Sequence, residues 1–300
     1  MSVLTDTRAV LAHAALHCNL NTVDLPAAEA FYTEALGLLA RMRSVSTSTD
    51  ATPMGLGTDT ASTTVFLYDH RGPRAAPALE LVGWERPATA MAGPVERGFV
   101  ALGFRVDALP ATVARLQALG HTAEEIAPVR VQGVARSAVR LVDPDGVPVE
   151  VVAIPAGGTS DTDGAALAYT RLACADLERT IRWYRGVGFE VRARARATAA
   201  LVLPEDPTFS LELTERPAPT GTARAANSQG LYRLALAVED VTAAHALLAA
   251  RGAVPDPVFI PMPDTPTGGF TVLFLADPDG TVVEFVERPR SAVRRPASPV

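Results

Sequence analysis

Between His17 and Thr22 the chain alternates, with His17, Asn19 and Asn21 on one side and Cys18, Leu20 and Thr22 on the other, the period of two that a half-buried strand requires. The pattern then changes to helical spacing over Pro26 to Leu36. Phe31 and Leu36 fall on the buried side, Asp24 is placed to cap the N-terminus, and Gly37 stops the helix. Runs at 38–45, 63–68 and 77–82 predict three more strands. The same order of strand, helix and three strands starts again near Gly98, Ala168 and Gly230, with helices near 110–119, 177–186 and 241–250. The chain therefore reads as four βαβββ units.

Repeats group these units into two halves. Asp-Pro-Asp-Gly occurs at Asp143 to Gly146 and again, 134 residues later, at Asp277 to Gly280, each time before an apolar run holding one Glu, VPVEVV and TVVEFV. Leu79-Glu80-Leu81 returns after 132 residues as Leu211-Glu212-Leu213, and GFVALGFRV at Gly98 returns after 132 as GLYRLALAV at Gly230. LHCNLNTVDLPAAEAFYTEALGL from Leu16 parallels AYTRLACADLERTIRWYRGVGF from Ala168. Landmarks that recur in one order mark related halves. Linkers are expected at 86–95, 155–165 and 217–229, and the Pro- and Arg-rich stretch after Glu287 is expected to be disordered. The first unit carries about twenty residues more than the third, in STSTDATPMGLGTDTAST, whose composition predicts a solvated flexible loop rather than a lid.

Composition removes whole classes of function. The chain of 300 residues is 48% hydrophobic with net charge −6, and its basic residues are scattered, so a nucleic-acid surface has no footprint. All 27 basic residues are Arg, which excludes Schiff-base lysines, a pyridoxal-phosphate lysine and a P-loop. The Lys-free, Ala- and Arg-heavy usage points to a GC-rich bacterial gene. Cys18 and Cys174 stand far apart without CxxC spacing, as in a reducing cytoplasm, and no apolar run approaches the roughly 18 to 20 residues of a membrane span. No Ser-His-Asp order or Gly-rich dinucleotide fingerprint is present. His13, His70, His121 and His245 lie outside the candidate strands' polar faces.

His17-Cys-Asn-Leu-Asn-Thr-Val-Asp-Leu25 with AFYTEALGL, taken together with DPDGVPVEVV, resembles the vicinal oxygen chelate superfamily, which includes glyoxalase I, extradiol dioxygenases, fosfomycin-modifying enzymes and bleomycin-sequestering resistance proteins. The resemblance covers nearly the whole chain. It implies an α+β fold in which four βαβββ modules pair into two cup-shaped mixed-sheet domains, expected at 10–154 and 166–288, with a disordered tail at 289–300. In metal-binding members the ligands come from a module's first strand, usually His, and its last, usually Glu. Carried onto this chain, the first cup is expected to gather His17, Glu80, Ala101 and Glu150, and the second Tyr169, Glu212, Arg233 and Glu284. Ala101 offers no donor atom, and Arg233 puts a cation where a cation would bind.

Strand parity supports the mapping. Leu102, Phe104 and Val106 take one face and Ala101, Gly103 and Arg105 the other, so the apolar face goes under the helix and the second lines the cup. Cys18 and Cys174 fall on the helix side and read as buried small hydrophobes. Tyr169 and Arg171 share a cup face, and Arg233 is expected to pair with Glu212 or Glu284. The leading expectation is a cytoplasmic cup protein that binds an oxygenated, aromatic small molecule without needing a metal, through Asn19, Asn21, Trp84, Arg105, Tyr169, Arg171 and Arg233, in antibiotic resistance or biosynthesis. The alternative is a metal-dependent lyase, isomerase or dioxygenase in which His17, Glu80 and Glu150 hold Fe, Mn, Zn or Ni in the first domain. Extradiol cleavage fits less well, because its two-His-one-Glu set is expected in the second half, which lacks both His. A structural role with filled cups is the third reading. The expected partner is a small-molecule ligand, with a homodimer left open and neither nucleic acid nor membrane involved.

Overall fold

The computed structural model describes residues 11–93, 97–154, 164–216, 224–252 and 254–296. Residue 10, the linker stretches 94–96, 155–163 and 217–223, and the last four residues of the expected tail lie outside the described residues. The first module holds β1 (Ala14–Asn21), α1 (Leu25–Ala30), β2 (Leu39–Thr49), β3 (Thr60–Tyr68) and β4 (Ala78–Arg86). The second holds β5 (Gly98–Val106), α2 (Leu109–Ala118), β6 (Glu124–Val131), β7 (Val134–Val142) and β8 (Pro148–Ala153). The third holds β9 (Ala166–Cys174), α3 (Leu177–Gly186), β10 (Glu190–Arg194), β11 (Thr198–Leu203) and β12 (Asp206–Glu215). The fourth holds β13 (Gly230–Val238), α4 (Val241–Ala249), β14 (Val258–Pro261), β15 (Gly269–Ala276) and β16 (Val282–Glu287). Asp24 caps α1 by accepting the Ala27 N–H, and Asp176 and Asp240 do the same for α3 and α4, each cap being worth about 1 kcal/mol. From Phe31 to Ala35 α1 continues as a π-helical turn.

The four modules do form two mixed sheets of eight strands, but the partners are not neighbours in sequence. One sheet runs β14-β15-β16-β13-β1-β4-β3-β2 and the other β10-β11-β12-β9-β5-β8-β7-β6. The first module thus joins the fourth through antiparallel β1 and β13, and the second joins the third through β5 and β9. The expected cups, built from modules one and two and from three and four, are corrected by this pairing. Period-two alternation says which face of a strand is buried but not which free edge meets which, and four similar modules present four similar edges.

The two Asp-Pro-Asp-Gly turns hold each sequence half together across the sheets. Asp143 accepts the N–H groups of Asp145 and Val147 within its own turn and also the Tyr32 hydroxyl at 2.8 Å, while Asp145 accepts the N–H of Val23. Asp277 and Asp279 repeat the arrangement, with Tyr184 Oη 3.4 Å from Asp277 and the N–H of Ala175 bonded to Asp279. The apolar faces of both sheets and residues of all four helices form one continuous core that includes Cys18, Leu102, Phe104, Val106 and Cys174. Burial alone raises the Cys18 thiol far above its ordinary range, and burial with the nearby Asp279 and Glu215 carboxylates pushes Cys174 up to about 11, so both are inert packing groups.

Two expected unstructured stretches are ordered. The insertion in the first module extends the β2–β3 hairpin, with Ser44 opposite Thr64, Ser46 opposite Ser62 and Thr49 opposite Thr60, around a short 3₁₀ turn at Thr52–Met54. Its hydroxyl-rich composition reads as loop because these strands face a cavity instead of core. The tail, described as far as residue 296, is pinned as well. Arg295 makes an ion pair with the fully buried Asp206 at 3.0 Å and donates to the Ala15 carbonyl, and Arg294 N–H donates to the Arg74 carbonyl. Asp206 opens β12 in one sheet and Ala15 lies in the other, so Arg295 binds to both. Among the described residues no helix is long and apolar enough to cross a membrane.

Candidate functional site

The sheet of modules one and four curls around a cavity of about 130 Å³. Its wall residues follow one parity along each strand: Ser62, Thr64, Phe66 and Tyr68 on β3, Glu80, Val82 and Trp84 on β4, Phe270, Val272 and Phe274 on β15, and Glu284, Val286 and Arg288 along and just past β16. The pleat alone puts these side chains inside. The module-one wall is rich in hydroxyls, from Ser44, Ser46, Thr49, Thr60, Ser62 and Thr64. The module-four wall is apolar, from Ile260, Phe270, Val272, Phe274 and Val286. Met42, Met54 and Met262 supply adaptable apolar surface.

The polar floor comes from the first and last strands of both modules. Arg233 lies between two carboxylates: its Nε donates to Glu284 at 2.7 Å and its Nη2 to both oxygens of Glu80 at 2.9 and 3.1 Å. Asn19 Nδ2 donates to Glu80 at 2.9 Å. His17 Nε2 stands 3.3 Å from Glu80 and 3.5 Å from Glu284, without the alignment of a hydrogen bond, and the ring meets Phe66 edge-on. Burial works against every charge here, yet Arg233 and His17 hold the Glu284 carboxyl down at about 2. In return, and against the same desolvation, Glu80 and Glu284 raise Arg233 above its already high range, so it stays a cation.

His17, Glu80, Arg233 and Glu284 occupy the strand positions at which the resemblance places metal ligands, once the modules are paired as the sheet pairs them. The buried guanidinium engages both carboxylates and stands where a cation would sit. As arranged, the four residues do not fit a divalent ion, and among the described residues no group of three or more His, Cys, Asp or Glu is placed to hold one.

The other cup is filled. Tyr169, fully buried, lays its ring across Gly103, where even a methyl group would meet ring atoms at 2.1 Å. Its hydroxyl donates to Glu150 at 2.8 Å, and Arg171 Nε donates to the same carboxylate at 2.6 Å. The β6–β7 turn enters from the far side, with Gln132 at a left-handed φ of 49° donating its N–H to Glu212 and its side-chain amide to the Pro207 carbonyl. Glu212 also accepts from Ser210, but burial dominates and its carboxyl is raised above the usual range. Val131, Ala138, Val152, Ile154 and Ala168 pack around Tyr169.

The predicted residues are therefore redistributed. His17, Glu80, Trp84 and Arg233 line the hollow cup together, whereas Glu150 belongs to the filled one, so the set His17, Glu80, Glu150 does not converge. Ala101 pairs with Arg171 in the filled cup and cannot complete a site at His17. Arg233 meets Glu284 as expected, but its second partner is Glu80 and not Glu212. Asn19 supports Glu80, and Asn21 holds the Ala226 and Ser228 carbonyls while accepting the Trp84 indole N–H at 3.1 Å. Tyr169 and Arg171 plug the second cup, and Arg105 in the same sheet stands near Asp107 at 3.9 Å. Of the weaker histidines, His13 is buried against the Arg288 carbonyl at 3.0 Å and His245 stands 3.6 Å from Asp256. The hydroxyl wall, Tyr68 and Arg288 were missed. Parity counted forward from Glu284 through Val286 to Arg288 was the available signal.

Two βαβββ pairs curled into cups, each with acidic last strands, define a protein of the glyoxalase-like class. The chain belongs to the Glyoxalase/Bleomycin resistance protein/Dioxygenase superfamily, whose family model matches residues 14–151 and 166–285. Its fold is similar to that of glyoxalase I from Zea mays, at 21% identity over 94% of each chain with a TM-score of 0.66. It is also similar to a candidate dioxygenase from Bacillus subtilis, at 14% identity over 96% of this chain and 93% of that one with a TM-score of 0.68. The cppA protein from Streptococcus pneumoniae follows, at 13% identity over 92% of this chain and all of that one with a TM-score of 0.51. At these identities the likeness is one of fold. No curated protein matches the chain.

Proposed function

We propose that the hollow cup of modules one and four binds an oxygenated, aromatic small molecule and does so without a metal ion. The observation that carries this reading is Arg233, which bridges Glu80 and Glu284 at the floor of an open cavity and supplies internally the positive charge that a metal would otherwise bring. The wall chemistry agrees with such a ligand. Phe270 and Phe274 on the module-four wall and Phe66 and Trp84 on the module-one wall offer faces and edges to a ring, and the module-one hydroxyls can donate to or accept from its oxygens.

The test uses N-phenyl-1-naphthylamine, a neutral aromatic fluorophore, with protein prepared with chelator and with protein supplemented with Fe, Mn, Ni or Zn. Saturable binding of equal affinity in both preparations, and well under one equivalent of retained metal, is the expected result. Near-stoichiometric metal that disappears in Glu80→Ala would replace this reading with the second one, a metal-dependent lyase, isomerase or dioxygenase. The position of His17 Nε2 within 3.5 Å of both carboxylates favours that alternative, since displacing Arg233 would leave one imidazole and two carboxylates together.

A further inference from the structure

The hollow cup differs in charge from one part of its lining to another. At the floor one guanidinium already serves two carboxylates, so an anionic ligand group there would meet an excess of negative charge. Arg288, just beyond the end of β16, also lines the cavity, and its Nε is buried without an acceptor. Among the described residues the rest of its guanidinium makes no hydrogen bond or ion pair either. The neighbouring acid does not serve it, because Glu287 has the opposite parity and accepts the Val241 N–H at the start of α4. Tyr68 lines the same cavity, and its hydroxyl likewise has no partner among the described residues. Burial raises the Tyr68 pKa, with Glu80 adding to it, while Arg288 and Arg295 pull it back, so both cations act on this hydroxyl. Arg295 is neutralised by Asp206 and Arg233 by the two glutamates, so Arg288 is the cavity-lining cation whose charge is not already matched.

Resting on the reading of this cup as a ligand pocket, we propose that Arg288, together with the Tyr68 hydroxyl, anchors an oxyanion, a carboxylate or phenolate, carried by an otherwise apolar aromatic ligand. A guanidinium beside apolar walls keeps its full charge but loses water, and a ligand oxyanion restores both the hydrogen bonds and the neutrality. Arg233 then organises the floor, and Arg288 selects the ligand's charge.

Two probes that differ by one anionic group test this. 1-Anilinonaphthalene-8-sulfonate is N-phenyl-1-naphthylamine with an added sulfonate, and both are followed by fluorescence titration. The wild-type protein should bind the sulfonate more tightly. Arg288→Gln should weaken the sulfonate by about tenfold or more while changing the neutral probe by less than about twofold, and Tyr68→Phe should weaken the sulfonate alone by a few fold. Ser62→Trp, which fills the cavity, should abolish both, with thermal melting confirming that each variant folds. A sulfonate bound no more tightly than the neutral probe, or equal losses for both in Arg288→Gln and Tyr68→Phe, would overturn the assignment while leaving the pocket reading intact. If neither probe binds the wild-type protein, or Ser62→Trp leaves both unaffected, the pocket reading itself fails.

Discussion

The two cups are built from equivalent strands and carry glutamates at all four last-strand positions, yet one is open and the other shut. In the open cup the cation is Arg233 on β13, and the first strand of the opposite module offers His17, whose ring stands within 3.5 Å of both Glu80 and Glu284 and leaves the cavity open. In the shut cup the position equivalent to Arg233 is Ala101. The cation has moved to the opposite strand as Arg171, and the position equivalent to His17 is Tyr169, whose ring covers Gly103. Each arrangement keeps a guanidinium on a buried carboxylate. The comparison separates two properties of such a cup: an internal ion pair is tolerated in either case, while the size of one aromatic side chain and one inward turn decides whether a ligand has room.

The largest expected effect breaks the open cup's ion pairs. Arg233→Ala leaves Glu80 and Glu284 buried together without their cation and should cost about 3 to 5 kcal/mol in urea unfolding. Arg171→Ala should cost less, about 1 to 3 kcal/mol, because Glu150 keeps the Tyr169 hydroxyl and stands 3.5 Å from Arg140. An Arg171 loss equal to or larger than the Arg233 loss would refute this ranking of the two cups.

Next in size is the plug. Tyr169→Ala should cost about 3 kcal/mol or more as a large-to-small change at a fully buried site. It should also give the second cup room, so that N-phenyl-1-naphthylamine titrates to two sites per chain instead of one. A destabilised variant with unchanged stoichiometry would mean that Gln132 and its turn close this cup without help from Tyr169.

A third comparison concerns metal. Arg233→His replaces the internal cation with an imidazole beside His17, Glu80 and Glu284, and should raise Ni or Zn affinity at least about tenfold, or 1.4 kcal/mol, by titration calorimetry. Ala101→His in the filled cup should show no gain, since Tyr169 and Arg171 already occupy Glu150. Equal responses would show that Arg233 is not what keeps a metal out.

The last comparison is in pH dependence, where the two cups have opposite signs. The Glu284 carboxyl, depressed from 4.5 to about 2, contributes stability that is fully present above 4.5, is lost as pH falls and is gone below about 2. Glu212 is raised, so its folded form binds a proton before the unfolded form does, and its contribution grows as pH falls toward 4.5. Glu284→Gln should therefore lower the urea midpoint at pH 7, and Glu212→Gln, which keeps the acceptor for Gln132 and Ser210, should hold or raise it. Matching signs at pH 7 would remove the electrostatic distinction between the cups.

The sequence alone determined the four modules, the helix cap at Asp24 and the core face through Leu102, Phe104 and Val106, because period-two and helical spacing are local consequences of backbone geometry, and the family resemblance added the cup-facing glutamates. It also expected Arg233 to pair with Glu212 or Glu284, and the one it meets, Glu284, lies in its own module. Only the tertiary structure decided that β1 meets β13 and β5 meets β9, and with that choice Glu80 became Arg233's second partner and Glu150 left the His17 set. The hydroxyl strands of the insertion and the pinned Arg295 were hidden for a related reason: their polar groups are satisfied by segments far away in sequence, and composition cannot distinguish a hydroxyl that faces a cavity from one that faces water.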